Sequence, residues 1–187
     1  MTSWGRVRRL RASLATPAFL DQIPRVLNAE PGRKLLGVGL GRSYGDSGLN
    51  EGGAVIDMTA LDRVIAFDPQ TGIIRAEAGL SLSDLLRIVV PHGWFLPTTP
   101  GTRFVTLAGA VANDVHGKNH HAAATFGAAV RRLCLHTSTA GALEISPAGN
   151  SDLFRATVAG LGLTGLIAWV EVQLVRIPGA YLGAENV

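Results

Sequence analysis

Apolar and polar positions follow two different periods along this chain, and the changes of period mark its elements. Residues 34–38, 54–58, 63–68 and 73–78 are short runs of strand length rich in Val, Ile, Leu and Ala, and the turn at 69–72 divides the last two. Residues 81–90 switch to the helical period. Leu82, Leu85, Leu86 and Val89 share one face, Ser81 and Asp84 have capping-box spacing, and Pro91 stops the helix. Thr106 caps a second, short helix over 107–113. Residues 130–138 and 142–146 read as a hairpin around Ala140 and Gly141, and Asn150 or Ser151 caps a helix over 152–159. The last strand spans 166–177, where Val170, Val172 and Leu174 alternate with Glu171 and Gln173 to give one buried and one wetter face. The order is α+β.

Composition narrows the class. Hydrophobic residues make up 47% of the 187 positions, a globular value that suits one domain or two small lobes sharing a core. The net charge of +3 comes from scattered arginines, with one local excess at Arg6, Arg8, Arg9 and Arg11. That excess has three readings: contact with water, with a phosphate, or with an anionic lipid head group at a membrane surface. No zinc-finger spacing or aromatic-studded basic stripe accompanies it, so nothing points to nucleic acid. Cys134 is the single cysteine, which excludes an internal disulfide framework and thiolate-rich metal sites. Between Leu133 and Leu135 it reads as a buried structural thiol ahead of a nucleophile. The apolar runs are too short to span a bilayer, and Pro17 and Asp21 interrupt the stretch a signal peptide would need. The expected location is cytoplasmic or peripheral to a membrane.

Glycine changes the picture. The chain has 23, and seven fall between Gly37 and Gly53 in LLGVGLGRSYGDSGLNEGG. Ordering those seven costs roughly 3.5–7 kcal/mol, comparable with the whole net stability of a domain, about 5–15 kcal/mol. A plain loop leaves that cost unexplained, whereas close approach of backbone N–H groups to a phosphate-bearing ligand accounts for it. A second cluster, Gly160-Leu161-Gly162-Leu163-Thr164-Gly165, fits GxGxxG literally. It follows a helix and precedes a strand, the reverse of the nicotinamide-binding order, and neither cluster ends in the GK[ST] of a phosphate-loop NTPase. Phosphate handling is indicated without either of those folds.

Taken in order, GVGLGRSYGDSGLN, AVIDMTALDRVIAFDPQTGIIRAEAG, PGTRFVTLAGAVANDVHGKNHH and NSDLFRATVAGLGLTGLI resemble the vanillyl-alcohol oxidase/PCMH-type FAD-binding family over nearly the whole chain. Within it, SWGR near the start, GRSYGDS and HGKNHH look like the decaprenylphosphoryl-ribose 2-oxidase family of arabinan precursor synthesis in cell wall biogenesis. The resemblance implies an α+β, PCMH-type fold of two α/β lobes, 17–80 and 81–187, behind a basic segment, 1–16, with FAD in the groove between the lobes. Gly39, Leu40, Gly41, Arg42, Ser43, Tyr44, Gly45 and Asp46 would wrap the pyrophosphate, Tyr44 lying toward the flavin. Thr102, Thr106, Gly109 and Ala110 would line the opposite side. Gly160, Gly162 and Gly165, with Ile167, would close over the adenine-ribose half. His116, Gly117 and Lys118 would approach the isoalloxazine and a sugar-phosphate substrate, which makes His116, Lys118 and Tyr44 the catalytic candidates. FAD would be held non-covalently, because Arg42 stands where covalent relatives carry the linking histidine of GxGHS.

The implied reaction takes a sugar hydroxyl to a ketone by hydride transfer to flavin N5. The implied substrate is decaprenylphosphoryl-beta-D-ribose, a lipid-linked sugar phosphate, with an NAD-dependent reductase partner completing an epimerisation. An aldonolactone or alditol oxidase is the enzymatic alternative, and a non-redox metal-binding or interaction domain is the other. The family's substrate-covering domain and a later return segment would lie beyond residue 187, so residues 1–187 are expected to bind flavin more readily than they complete catalysis. Several side chains keep second readings. His116 and His120 are four apart beside His121 and could offer imidazoles to zinc, but Gly117 weakens such a helix and no HExxH pattern is present, so no metal is expected. Lys118 also reads as a solvated charge, Tyr44 as a core anchor, and Arg42 as the partner of Asp46 or another surface acid.

Overall fold

In the computed structural model residues 2–29 and 31–181 are described. Met1 of the basic segment and positions 182–187 of the expected second lobe lie outside the described residues. Two sheets of different character organise the chain. The smaller is parallel, with β3 (Ala54–Asp57) between β1 (Ser13–Ala15) and β2 (Leu35–Val38). The larger is antiparallel and runs β4 (Val64–Asp68), β5 (Ile73–Glu77), β9 (Leu166–Gln173), β7 (Val130–Thr137) and β8 (Gly141–Ile145) across its width. Besides three short 3-10 turns, the other described elements are α1 (Ile23–Asn28), α2 (Leu82–Val89), α3 (Leu107–Ala112), α4 (His120–Ala123), α5 (Ser151–Thr157), and a two-residue ladder of β6 (Trp94–Phe95) with β10 (Val175–Arg176).

Local chemistry explains the strongest elements. The β4–β5 turn closes on Asp68, whose carboxylate accepts from Gln70 N at 2.9 Å and from the Thr71 hydroxyl at 2.6 Å. The Thr71 hydroxyl leads the bonds that hold the Asp68 carboxyl below the usual carboxylate range. Helix α2 starts where Ser81 Oγ accepts from Asp84 N at 3.1 Å, and its Leu82, Leu85 and Val89 are fully buried. They join Ile74, Leu133, Leu135, Val170 and Val172 in the larger core. The smaller core holds Ile23, Ile56, Met58 and Leu61 with Leu166 and Ala168 of β9. A register shift opposite Cys134 and Leu135 lets β9 serve both cores: Leu166 and Ala168 face one, Ile167 and Val170 the other.

The structure revises the last strand. The run expected over 166–177 is interrupted at Leu174, whose N–H is donated to Gly72 O at 2.9 Å, leaving β9 and the separate β10. Its wetter face is half-covered as well. Glu171 is buried between Arg75, at 2.8 Å, and Arg132, at 2.9 Å. Burial alone would raise the Glu171 carboxyl, but the hydrogen bonds from Arg132 and Arg75 outweigh it and hold it below its ordinary value.

The segment after β5 ties the two sheets together. Ala78 N donates to Ala168 O at 2.9 Å, Gly79 N to Leu61 O at 2.7 Å, and Ala108 N to Ala78 O at 3.0 Å. A Cβ on Gly79 would fall on the carbonyl of Met58, so this crossing requires glycine. The expected lobe boundary at residue 80 does not coincide with the division between sheets, because β4 and β5 already pair into the larger one through β9.

Candidate functional site

A groove runs beside this crossing and is built from four directions. Strand β2 delivers Gly37, Val38 and Gly39 into it, and the loop continues with Gly41, Ser43, Gly45, Ser47 and Gly48. Helix α3 presents Ala108, Gly109 and Ala112 along one edge, followed by Asn113. Leu161, Gly162, Gly165, Leu166 and Ile167 form the opposing edge, tied to the helix by Leu161 N donating to Ala112 O at 2.8 Å. Met58 and Ala78 also line it, and Thr2, Ser3 and Trp4 arrive from the amino terminus.

The glycines have distinct reasons to be there. A Cβ on Gly39 would collide with the Thr106 side chain, which is itself committed to capping α3 by accepting from Gly109 N at 3.2 Å. Gly41 and Gly45 lie in the left-handed region, at φ of 63° and 66°, with nothing near their would-be side chains. The loop is therefore shaped by backbone conformation and leaves its surface open to whatever sits in the groove. Among the described residues none lining it carries a charge; hydroxyls, one carboxamide, the Trp4 indole, the Met58 thioether, backbone groups and aliphatic carbon make up its surface.

Of the residues expected from sequence, Gly39, Gly41, Ser43, Gly45, Thr106, Gly109, Gly162, Gly165 and Ile167 meet around this groove. Others lie elsewhere. Ala110 is fully buried in the larger core, because on α3 it points away from the face shared by Ala108, Gly109 and Ala112. Gly160 sits against the last carbonyls of α5, where a Cβ would meet Ala156 O. Thr102 is exposed and its hydroxyl accepts from Phe104 N at 3.2 Å. Leu40 and Asp46 are exposed, and Tyr44, at 88% exposure, is not a core anchor. Arg42 does not pair with Asp46: its Nε donates to Phe104 O at 3.3 Å and its guanidinium lies 4.5 Å from the centre of the Trp4 ring.

The HGKNHH segment lies apart from the groove lining, in a loop that runs into α4. Gly117 is buried there, and a Cβ on it would meet Thr99 O at 2.5 Å, whereas His116, Lys118, His120 and His121 are exposed. The His116 and His120 rings meet edge to face at 5.5 Å, and His120 Nδ1 lies 2.8 Å from Gly117 O. Among the described residues no group of three or more His, Cys, Asp or Glu side chains is placed to hold a metal ion. Cys134 is half-buried, and burial followed by the Glu144 carboxylate pushes its thiol up, which opposes thiolate chemistry. Among the lining residues that the sequence did not single out are Trp4, Ala112 and Asn113. The spacing of Ala108 and Ala112, one helical turn apart, carried a signal for the second; Asn113 shows itself only in three dimensions, where Ser43 Oγ lies 3.4 Å from its Oδ1 across the groove.

Residues 12–146 match the profile of the FAD binding domain family. The chain belongs to that family. FAD is its cofactor, and the α+β arrangement is that of an FAD binding domain. Along all of its length the chain is 42% identical to the decaprenylphosphoryl-beta-D-ribose oxidase of Mycolicibacterium smegmatis, of which it spans 41%. Over 85% of its length it is 31% identical to the L-gulonolactone oxidase of Mus musculus, of which it spans 36%. Over 65% it is 28% identical to a putative D-arabinono-1,4-lactone oxidase of Neurospora crassa, of which it spans 22%. The chain thus covers well under half the length of these curated relatives. The groove fits the cofactor the family implies: a side chain at Gly39 would strike Thr106, the glycine loop presents bare backbone, and aliphatic and hydroxyl groups line the rest.

Proposed function

We propose that this chain is the cofactor-holding portion of an oxidoreductase that oxidises a sugar hydroxyl to a ketone, with decaprenylphosphoryl-beta-D-ribose as the preferred substrate. The observation that carries the reading is the glycine-walled groove, together with 42% identity to the M. smegmatis oxidase along all of the chain. FAD held here supplies the hydride acceptor. The chain's own residues bind and orient it. The loop from Gly39 to Gly48 and the edge from Leu161 to Ile167 would enclose it, and backbone N–H groups with the Ser43, Ser47 and Thr106 side chains would meet its polar atoms. Attachment is non-covalent, since Arg42 occupies the position of a linking histidine and is turned toward Trp4.

His116 and Lys118 lie outside the groove on an exposed loop, where they are available to a substrate rather than to the cofactor's buried half. We assign Lys118 the recognition of the sugar's phosphate and His116 the handling of the hydroxyl proton. We assign Tyr44, exposed on the glycine loop, to the same substrate approach. The ketosugar product is the substrate expected for a nicotinamide-dependent reductase. The basic residues Arg6, Arg8, Arg9 and Arg11 suit contact with an anionic lipid surface; among the described residues no helix is long and apolar enough to cross a membrane. Likeness to L-gulonolactone oxidase favours the lactone oxidase alternative. Anaerobic flavin bleaching by each substrate decides between them, using the chain extended to its relatives' length. Bleaching by decaprenylphosphoryl-beta-D-ribose with formation of the ketosugar supports the proposal, and bleaching by free aldonolactone alone overturns it.

A further inference from the structure

Trp4 is an unusual groove residue. It comes from a segment without regular structure, it is half-exposed, and it lines the groove together with Thr2 and Ser3. The segment is nonetheless pinned. Arg6 N donates to Ser3 O at 3.0 Å, and Thr2 and Arg9 form an antiparallel bridge that folds it back on itself. Arg8 pairs with Glu51 at 3.3 Å, near the far end of the glycine loop. Arg42, in the middle of that loop, stacks on the Trp4 ring at 4.5 Å and fixes its own orientation by donating Nε to Phe104 O. One guanidinium therefore joins the amino-terminal segment, the glycine loop and the loop before α3.

We propose that residues 2–9 form a strap across the groove that retains FAD, with Trp4 as a cofactor-contacting wall and Arg42 as the positioning residue that holds it. This inference rests on the FAD reading of the groove and adds a residue role to it. The geometry sets it apart from a direct phosphate contact by Arg42. A guanidinium whose face covers an indole and whose Nε is engaged by a carbonyl acts through planarity as well as charge. A lysine keeps the charge and loses the stack. Trp4 contributes a broad, rigid apolar face, which phenylalanine largely preserves and alanine removes.

The test is the rate of FAD release from the loaded protein after dilution, read as recovery of flavin fluorescence, with circular dichroism confirming that each variant is folded. Trp4→Ala is expected to speed release roughly tenfold, the effect of losing one good aromatic contact, about 1.4 kcal/mol. Trp4→Phe should stay near the wild-type rate. Arg42→Ala and Arg42→Lys should both speed release, and the double variant Trp4→Ala/Arg42→Ala should release no faster than the faster single variant, since both remove one device. Unchanged release from Trp4→Ala overturns the strap. Full rescue by Arg42→Lys, or effects that multiply in the double variant, overturn the positioning role and place Arg42 on the phosphate directly. Wild-type protein that takes up no FAD removes the reading of the groove itself, a distinct failure.

Discussion

The antiparallel sheet and the glycine loop, neighbours in the fold, are held in opposite ways. Strands β5, β7 and β9 bury Ile74, Leu133, Leu135, Val170 and Val172 against α2 and α3, and even their polar side is closed by Glu171 between two arginines. The loop from Leu40 to Gly52 is largely exposed and is shaped by turns, such as Leu49 N donating to Asp46 O at 2.9 Å, and by the clasp of Arg42 on Trp4. Burial stabilises the sheet without help. The loop depends on backbone conformation and on what it encloses, so binding of cofactor should stabilise it through mass action. A cofactor domain gains from this division: one part keeps the scaffold rigid while the other conforms to the ligand.

Three substitutions test the contrast, in falling order of effect. Leu135→Ala should cost about 2–5 kcal/mol by leaving a cavity in the larger core, and the loss should be of similar size with and without FAD in thermal or denaturant unfolding. Gly41→Val should cost about 1–2 kcal/mol in the free protein, because a side chain is strained at its φ of 63°. It should also weaken FAD binding by at least about tenfold in a fluorescence titration. A Gly41→Val protein with wild-type affinity removes this loop from the site. Glu171→Gln should cost about 1–2 kcal/mol, less than a fully buried pair, since Arg75 and Arg132 retain access to water.

The sign of its pH dependence follows from the lowered Glu171 carboxyl. Its stabilisation is complete above the ordinary glutamate value of 4.5 and is lost as pH falls through the lower value of the folded state. Acid unfolding curves of wild type and Glu171→Gln should therefore converge at low pH and separate as pH rises toward neutrality. Parallel curves at all pH values contradict the role given to this carboxylate.

How legible each region was follows the same division. Helix α2 and strands β3, β5, β7 and β8 were readable because their burial pattern is local: Leu82, Leu85 and Val89 declare one face without knowledge of the partner. The glycine cluster was readable as a special backbone because ordering it is costly, but its causes were not: Gly39 makes room for the Thr106 side chain, and Gly41 and Gly45 adopt left-handed φ. Strand β1 was not, since three residues pairing in parallel with β3 carry no pattern of their own. The break at Leu174 escaped because its cause, Gly72, lies 102 residues earlier in the chain and acts through one hydrogen bond. Arg42 was expected to meet a phosphate or an acid, because a partner that is an indole and a carbonyl from two distant loops leaves no mark in local sequence.

Whether the groove holds intact, non-covalent FAD is measured most directly on the cofactor itself. The protein is purified, its visible absorption recorded, and the supernatant and polypeptide separated after acid denaturation for mass analysis. The expected result is a flavin spectrum in the native sample, the mass of free FAD in the supernatant, and an unmodified polypeptide. A colourless protein that takes up no FAD on incubation contradicts the groove's assignment, and a polypeptide carrying flavin mass contradicts the non-covalent attachment.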